Sequence, residues 1–264
     1  MALSMKQRRR TSLTIQYAIF FIVIIILAVT IDWPNIVDKF FNFRIMAQQF
    51  PAVITTALKN TIIYTALGFV FAMALGILLA LMKLSSVGPY RWIATAYIEF
   101  FRGVPALLVF LAFGFGIPTA FQVNLNNYLT VMLALGIVGS AYIAETLRAG
   151  LQAVPKGQYE AARSLGMSHS RAMISVVIPQ AFKIILPPLT NEIIIMTKDS
   201  SLIYLLGLLP SQFELALFGK NAIAAPEAGL TPLVIAGACY LVITLPLGWL
   251  ARKFESRQQK ANGA

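Results

Sequence analysis

The run Thr61-Ile-Ile-Tyr-Thr-Ala-Leu-Gly-Phe-Val-Phe-Ala-Met-Ala-Leu-Gly-Ile-Leu-Leu-Ala-Leu-Met82 contains no charged residue. A hydrocarbon core roughly 30 Å thick is crossed by about 20 apolar residues in a helix. The stretch therefore reads as a membrane span, extending over about 54–82, long enough to tilt or to project beyond the bilayer. Gly68 and Gly76, with Ala72, Ala74 and Ala80, are small residues that let a second helix approach closely in lipid.

Working outward, apolar length and breaks at Pro, Gly and charge give five more spans, at about 13–31, 93–117, 129–151, 184–206 and 231–250. The expected fold is an all-α integral membrane protein of about six transmembrane helices. Six spans with short connections nearly use up the 264 residues, leaving no room for a separate soluble domain. Composition agrees, with 58% hydrophobic and only 12% charged residues, too few charges to cover a soluble surface of this size. The net charge of +11 does not form a nucleic-acid stripe, because the basic residues sit between apolar spans; anionic lipid headgroups account for them. Lys6, Arg8, Arg9 and Arg10 precede the run Leu13–Ile31, which is longer than a usual signal-peptide core. Asp32-Trp-Pro34 follows it instead of a small-residue cleavage site, so it reads as an uncleaved anchor helix. Cys239 is the single cysteine, which rules out an intramolecular disulfide.

Orientation follows from the positive-inside rule. With the N-terminus inside, the inner segments hold Lys6, Arg8, Arg9, Arg10, Lys83, Arg91, Lys156, Arg163, Arg171, Lys183, Arg252, Lys253, Arg257 and Lys260. The outer ones hold Lys39, Arg44, Lys59 and Lys220. Both termini are expected in the cytoplasm, and so is the stretch 152–183, which is too polar to span.

That polar stretch contains Val154-Pro-Lys-Gly-Gln-Tyr-Glu-Ala-Ala-Arg-Ser-Leu-Gly-Met-Ser-His-Ser-Arg171. Pro155 suits a helix start, and Gly166 suits a left-handed stop. Ser168 caps a second, amphipathic helix expected to run to about Ile178, before Pro179. Two short helices at a cytoplasmic surface suit docking into a groove on a partner.

Here the chain resembles the permease subunits of ABC-type polar amino acid importers. Glu160-Ala161-Ala162, Leu165-Gly166 and Ile178-Pro-Gln-Ala181 match that family's EAA loop. Glu99-Phe-Phe-Arg102-Gly-Val-Pro105, Gly139-Ser-Ala-Tyr-Ile-Ala-Glu145, Leu186-Pro-Pro-Leu-Thr-Asn191 and Lys198-Asp199-Ser200-Ser-Leu202 resemble further family elements in the right order. Val104 replaces the usual Thr, and the common Gln after the Pro105 element is missing. The resemblance covers about Thr55 to Arg252. It implies a type I ABC importer-like fold, with a five-helix permease core preceded by the added anchor helix. The domain expectation is 1–53 for the basic tail, anchor and outer loop, 54–251 for the permease domain with its coupling loop 154–181, and 252–264 for a cytoplasmic basic tail. The resemblance further implies that Glu160, Ala161, Ala162, Leu165, Gly166, Ser168, His169 and Arg171 engage an ATPase, present in two copies. It also implies a second permease copy or a related permease, an extracytoplasmic substrate-binding protein and the cytoplasmic membrane of a bacterium. The chain has no Walker Lys loop, so ATP and Mg are expected on the partner, with no cofactor and no catalytic residue in this chain.

Charges within spans cost at least roughly 2.5–3.5 kcal/mol, so each needs a reason. Glu99 with Arg102, and Glu145 with Arg148, have the i, i+3 spacing of pairs on one helix face. They read as locally neutralised structural pairs or as gating groups, as does Pro105 beside the first. Asn191, Glu192, Lys198 and Ser200 lie deep in a proline-containing span. They fit a route for a zwitterionic amino acid, with glutamate or glutamine favoured, and equally a structural polar network; Asp199 reads as structural. His169 is the only histidine, with no metal-ligand spacing around it, and reads as a surface residue. An autonomous ion-coupled carrier is the alternative, but it leaves the docking loop unexplained.

Overall fold

A computed structural model describes residues 5–262 of the chain. Residues 1–4 and 263–264, at the ends of the two basic tails, lie outside the described residues. So do the side chains of 5–10 and 259–262, and with them the inner placement of Lys6, Arg8, Arg9, Arg10 and Lys260. Among the described residues all regular structure is helical. The helices are α1 (Met5–Thr30), α2 (Trp33–Phe40), α3 (Phe43–Gln49), α4 (Val53–Leu84), α5 (Gly88–Gly103) and α6 (Ala106–Phe121). They continue with α7 (Asn127–Gln152), α8 (Lys156–Ser164), α9 (His169–Leu206), α10 (Leu215–Ala222) and α11 (Thr231–Asn262).

The centre is the α4–α7 pair, the most extensive helix contact in the chain. Its close approach is built on glycine: a Cβ on Gly136 would lie 2.5 Å from Phe71 Cδ1 and 3.1 Å from the Gly68 carbonyl oxygen. Tyr64, Ala72, Phe110, Leu135, Ile143 and Met196 fill the space between α4, α6, α7 and α9. Overpacking such a contact costs about 1–3 kcal/mol. Gly136→Leu should therefore lower the unfolding temperature of the purified protein in detergent, and an unchanged temperature would show that the two backbones are not this close. Helix α1 is the opposite case: its residues 11–30 are all exposed and it is apolar all round. That is the surface of a helix whose solvent is lipid.

Three expectations are corrected. The third span, 93–117, is not one helix: α5 and α6 are bent by 103° at Val104-Pro105. Pro105 has no N–H to continue the ladder, and its ring drives Val104 into extended backbone at φ −90°, ψ 134°. The second helix of the polar stretch does not stop before Pro179 either. It forms the first turns of α9, a continuous 38-residue helix. A π-helical turn at Met173–Val177 widens the helix immediately before Pro179, where the proline ring needs room. The last helix also extends beyond the expected end at 250, into the basic C-terminal segment.

Candidate functional site

The α8–α9 corner is built by local rules. Helix α8 ends in a Schellman pattern: the Met167 N–H reaches the Ala162 carbonyl at 3.2 Å, and the Gly166 N–H reaches the Arg163 carbonyl at 3.0 Å. Gly166 sits at φ +84°, a conformation that costs any L-residue with a Cβ. Arg163 Nη1 donates to the Met167 carbonyl at 2.6 Å. The Ser168 side chain then caps α9 by accepting from the Arg171 N–H at 3.4 Å. Tyr159 Oη and His169 Nδ1 close the corner at 2.7 Å. Ala162 is buried, whereas Glu160, Ala161, Gly166, Ser168, His169 and Arg171 are exposed. Leu165 is 86% exposed at the tip, an apolar side chain with nothing of its own chain over it. Behind the corner, Val154, Val177, Ala181 and Ile185 form a small core with Tyr159 and Met173, so the corner is packed directly onto the base of α9.

The intramembrane charges are arranged differently from the expected pairs. Glu145 does pair with Arg148, whose Nε lies 3.1 Å from both carboxylate oxygens. Lys83 of α4 joins them, with Nζ 3.1 Å from Oε2, a partner that the sequence did not suggest. Glu99 and Arg102 form no ion pair. Helix α5 ends one residue after Arg102, Glu99 is exposed, and the Arg102 guanidinium turns to the Tyr142 ring of α7, 5.6 Å from its centroid.

Glu192 is 7% exposed and lies in the walls of two neighbouring cavities. The first, of about 390 Å³, also has Arg102, Tyr142, Glu145 and Pro188 in its wall. The second, of about 230 Å³, adds Val104, Met196 and Asp199. Glu192, Ile195, Met196 and Asp199 are spaced as one face of α9, and that face looks into the second cavity. Asn191 and Lys198, each one residue earlier, are rotated away and exposed. Ser200 is buried and donates to the Thr197 carbonyl at 2.7 Å. Tyr142, on the shared wall of both cavities, was not singled out from the sequence; its position three residues before Glu145 on the same helix was the available signal.

Outside the spans, the chain from Gly207 to Glu214 is pinned from three sides. Asn60 donates to the Ser211 and Phe213 carbonyls, Tyr64 to the Gln212 carbonyl, and Asn127 to the Gln212 side chain. Buried Glu214 caps α10 and accepts from Tyr240 Oη at 2.9 Å.

The description "Binding-protein-dependent transport system inner membrane component" fits residues 72–260. The chain belongs to this family. The probable glutamine ABC transporter permease protein GlnM of Bacillus subtilis (strain 168) is 35% identical over 202 residues, covering 76% of this chain and 91% of that protein. The arginine transport system permease protein ArtQ of the same organism is 34% identical over 221 residues, covering 84% and 98%. The crystal structure of an amino acid ABC transporter with histidines superposes with a TM-score of 0.72 at 38% identity, covering 80% of this chain and 96% of that one. Membership makes the chain a membrane-embedded transport component and accounts for the type I importer-like helical fold.

Proposed function

We propose that this chain forms the translocation pathway of an ATP-driven importer of polar or charged amino acids, with glutamine or glutamate favoured, and that residues 154–181 couple it to a separate ATPase. The observation that carries the coupling is Leu165, 86% exposed at the tip of a corner whose backbone is otherwise locked by its own hydrogen bonds. An apolar side chain held rigidly at a polar surface suits a hydrophobic groove on a partner. Because the corner packs onto Val177, Ala181 and Ile185, a displacement by the ATPase is passed to α9 rather than absorbed in a loop. Helix α9 carries Glu192 and Asp199, so the same movement changes the two cavities.

In this reading two ATPase copies bind ATP and Mg, and two permeases, identical or related, face each other. An extracytoplasmic binding protein delivers substrate to the outer face, and both termini lie in the cytoplasm of a bacterium. The relatives' names, glutamine for one and arginine for another, support an amino acid with a polar or charged side chain. A zwitterion needs an acceptor for its ammonium and donors for its carboxylate. Glu192 and Asp199 offer the first, and Arg102 and Tyr142 the second; Asn191, Lys198 and Ser200 of the same helix lie outside both cavity walls and take no part in this route.

Vesicles containing this chain, its ATPase and the binding protein should take up labelled glutamine or glutamate only with ATP inside the compartment that holds the ATPase. Uptake by the chain alone, driven by an ion gradient, would replace this reading with an autonomous carrier.

A further inference from the structure

A third cavity, of about 800 Å³, opens between the start of the α8 loop, the base of α9 and the end of α11. Its wall combines Lys183 and Arg257, cations from two different helices, with the amides of Gln158 and Gln180 and the apolar Ile184 and Phe254. No carboxylate lines it, and neither cation is in an ion pair among the described residues. The neighbouring carboxylates in sequence, Glu160 and Glu255, are not in its wall. Two turns or less away on α11, Lys253 lies over the ring of Trp249 at 4.7 Å, and tryptophan is enriched at membrane–water interfaces.

We infer that this cavity binds an anionic phospholipid, with its phosphate held by Lys183 and Arg257 and its glycerol and upper acyl chains against Ile184 and Phe254. Unpaired cations facing an apolar wall at headgroup depth match an amphiphile; a free phosphate would satisfy the cations and leave the apolar wall wet. Gln180 Nε2 donates to Gln158 Oε1 at 3.3 Å across the same wall. A lipid seated there ties the foot of the corner to both long helices, so anionic lipid would hold the corner in position. The leaflet assignment rests on the cytoplasmic orientation proposed above, whereas the binding itself does not.

The test is native mass spectrometry of the permease with its ATPase in detergent, titrated with phosphatidylglycerol or phosphatidylcholine. Preferential retention of phosphatidylglycerol is expected. Removing each cation, by Lys183→Gln or Arg257→Gln, should weaken that retention roughly fivefold, and the double variant roughly twenty-fivefold. Lys253→Gln, outside the cavity, should leave it unchanged. If the double variant does not assemble, the two single variants decide. Several outcomes would overturn the inference: equal retention in the variants, displacement of the lipid by inorganic phosphate, or retention by the isolated permease that disappears when the ATPase binds. The last would make an acidic ATPase surface the occupant. None of these outcomes bears on whether the complex transports an amino acid.

Discussion

Gly166→Asp is expected to lower ATP hydrolysis by the reconstituted complex about tenfold or more while leaving the permease folded. A Cβ at Gly166 would meet nothing within 4 Å, so the substitution creates no clash. Part of what it opposes is the backbone: at φ +84° an L-residue pays up to about 1–2 kcal/mol, less for Asp and Asn than for others, and about 1.4 kcal/mol corresponds to a factor of ten. The carboxylate adds a charge beside the exposed Leu165, where an apolar groove would have to desolvate it. Asparagine tolerates the left-handed region best among residues with a Cβ, so Gly166→Asn should retain much of the activity, with Gly166→Ala between them. Glu160→Lys, on the exposed face of α8, should reduce hydrolysis without changing the unfolding temperature. Normal hydrolysis and transport in all four variants would show that this corner is not where the ATPase engages.

The corner was legible because everything that makes it is local: a glycine at the Schellman position, a serine cap two residues later, and a proline at the N-cap of α8. The spans were legible because a bilayer imposes a length. The bend at Val104-Pro105 was hidden because prolines also occur inside continuous helices, as Pro187 and Pro188 do in α9. Their effect depends on whether neighbouring turns can widen, and the π-helical turn before Pro179 leaves no mark in hydropathy. The choice between Lys198 and Asp199 as a cavity-facing residue was not legible at all. Adjacent residues differ by about 100° around a helix, and only the packing of α9 against α7 and α11 sets the zero of that rotation. The same limit hid Lys83, which lies 62 positions from Glu145 and reaches it only because α4 and α7 pack so closely.

That closeness makes Glu145 a side chain whose loss should cost much stability. Its carboxylate serves two cations, Lys83 from α4 and Arg148 from its own helix, and its side chain is 22% exposed. Glu145→Gln keeps the volume but leaves both cations partly buried without a counter-charge. Breaking a fully buried pair in this way costs about 3–5 kcal/mol, and the residual exposure reduces that to about 2–4 kcal/mol here. Lys83→Met should cost much less, because Glu145 keeps Arg148 and the apolar replacement needs no partner. The double variant Glu145→Gln/Lys83→Met then removes one of the stranded cations along with the carboxylate. It should unfold at a higher temperature than Glu145→Gln alone, although it carries one more change. Thermal unfolding of the four proteins in the same detergent gives the coupling directly. If the two single losses simply add, Lys83 and Glu145 do not interact, and the α4–α7 pair is held by its small-residue packing alone.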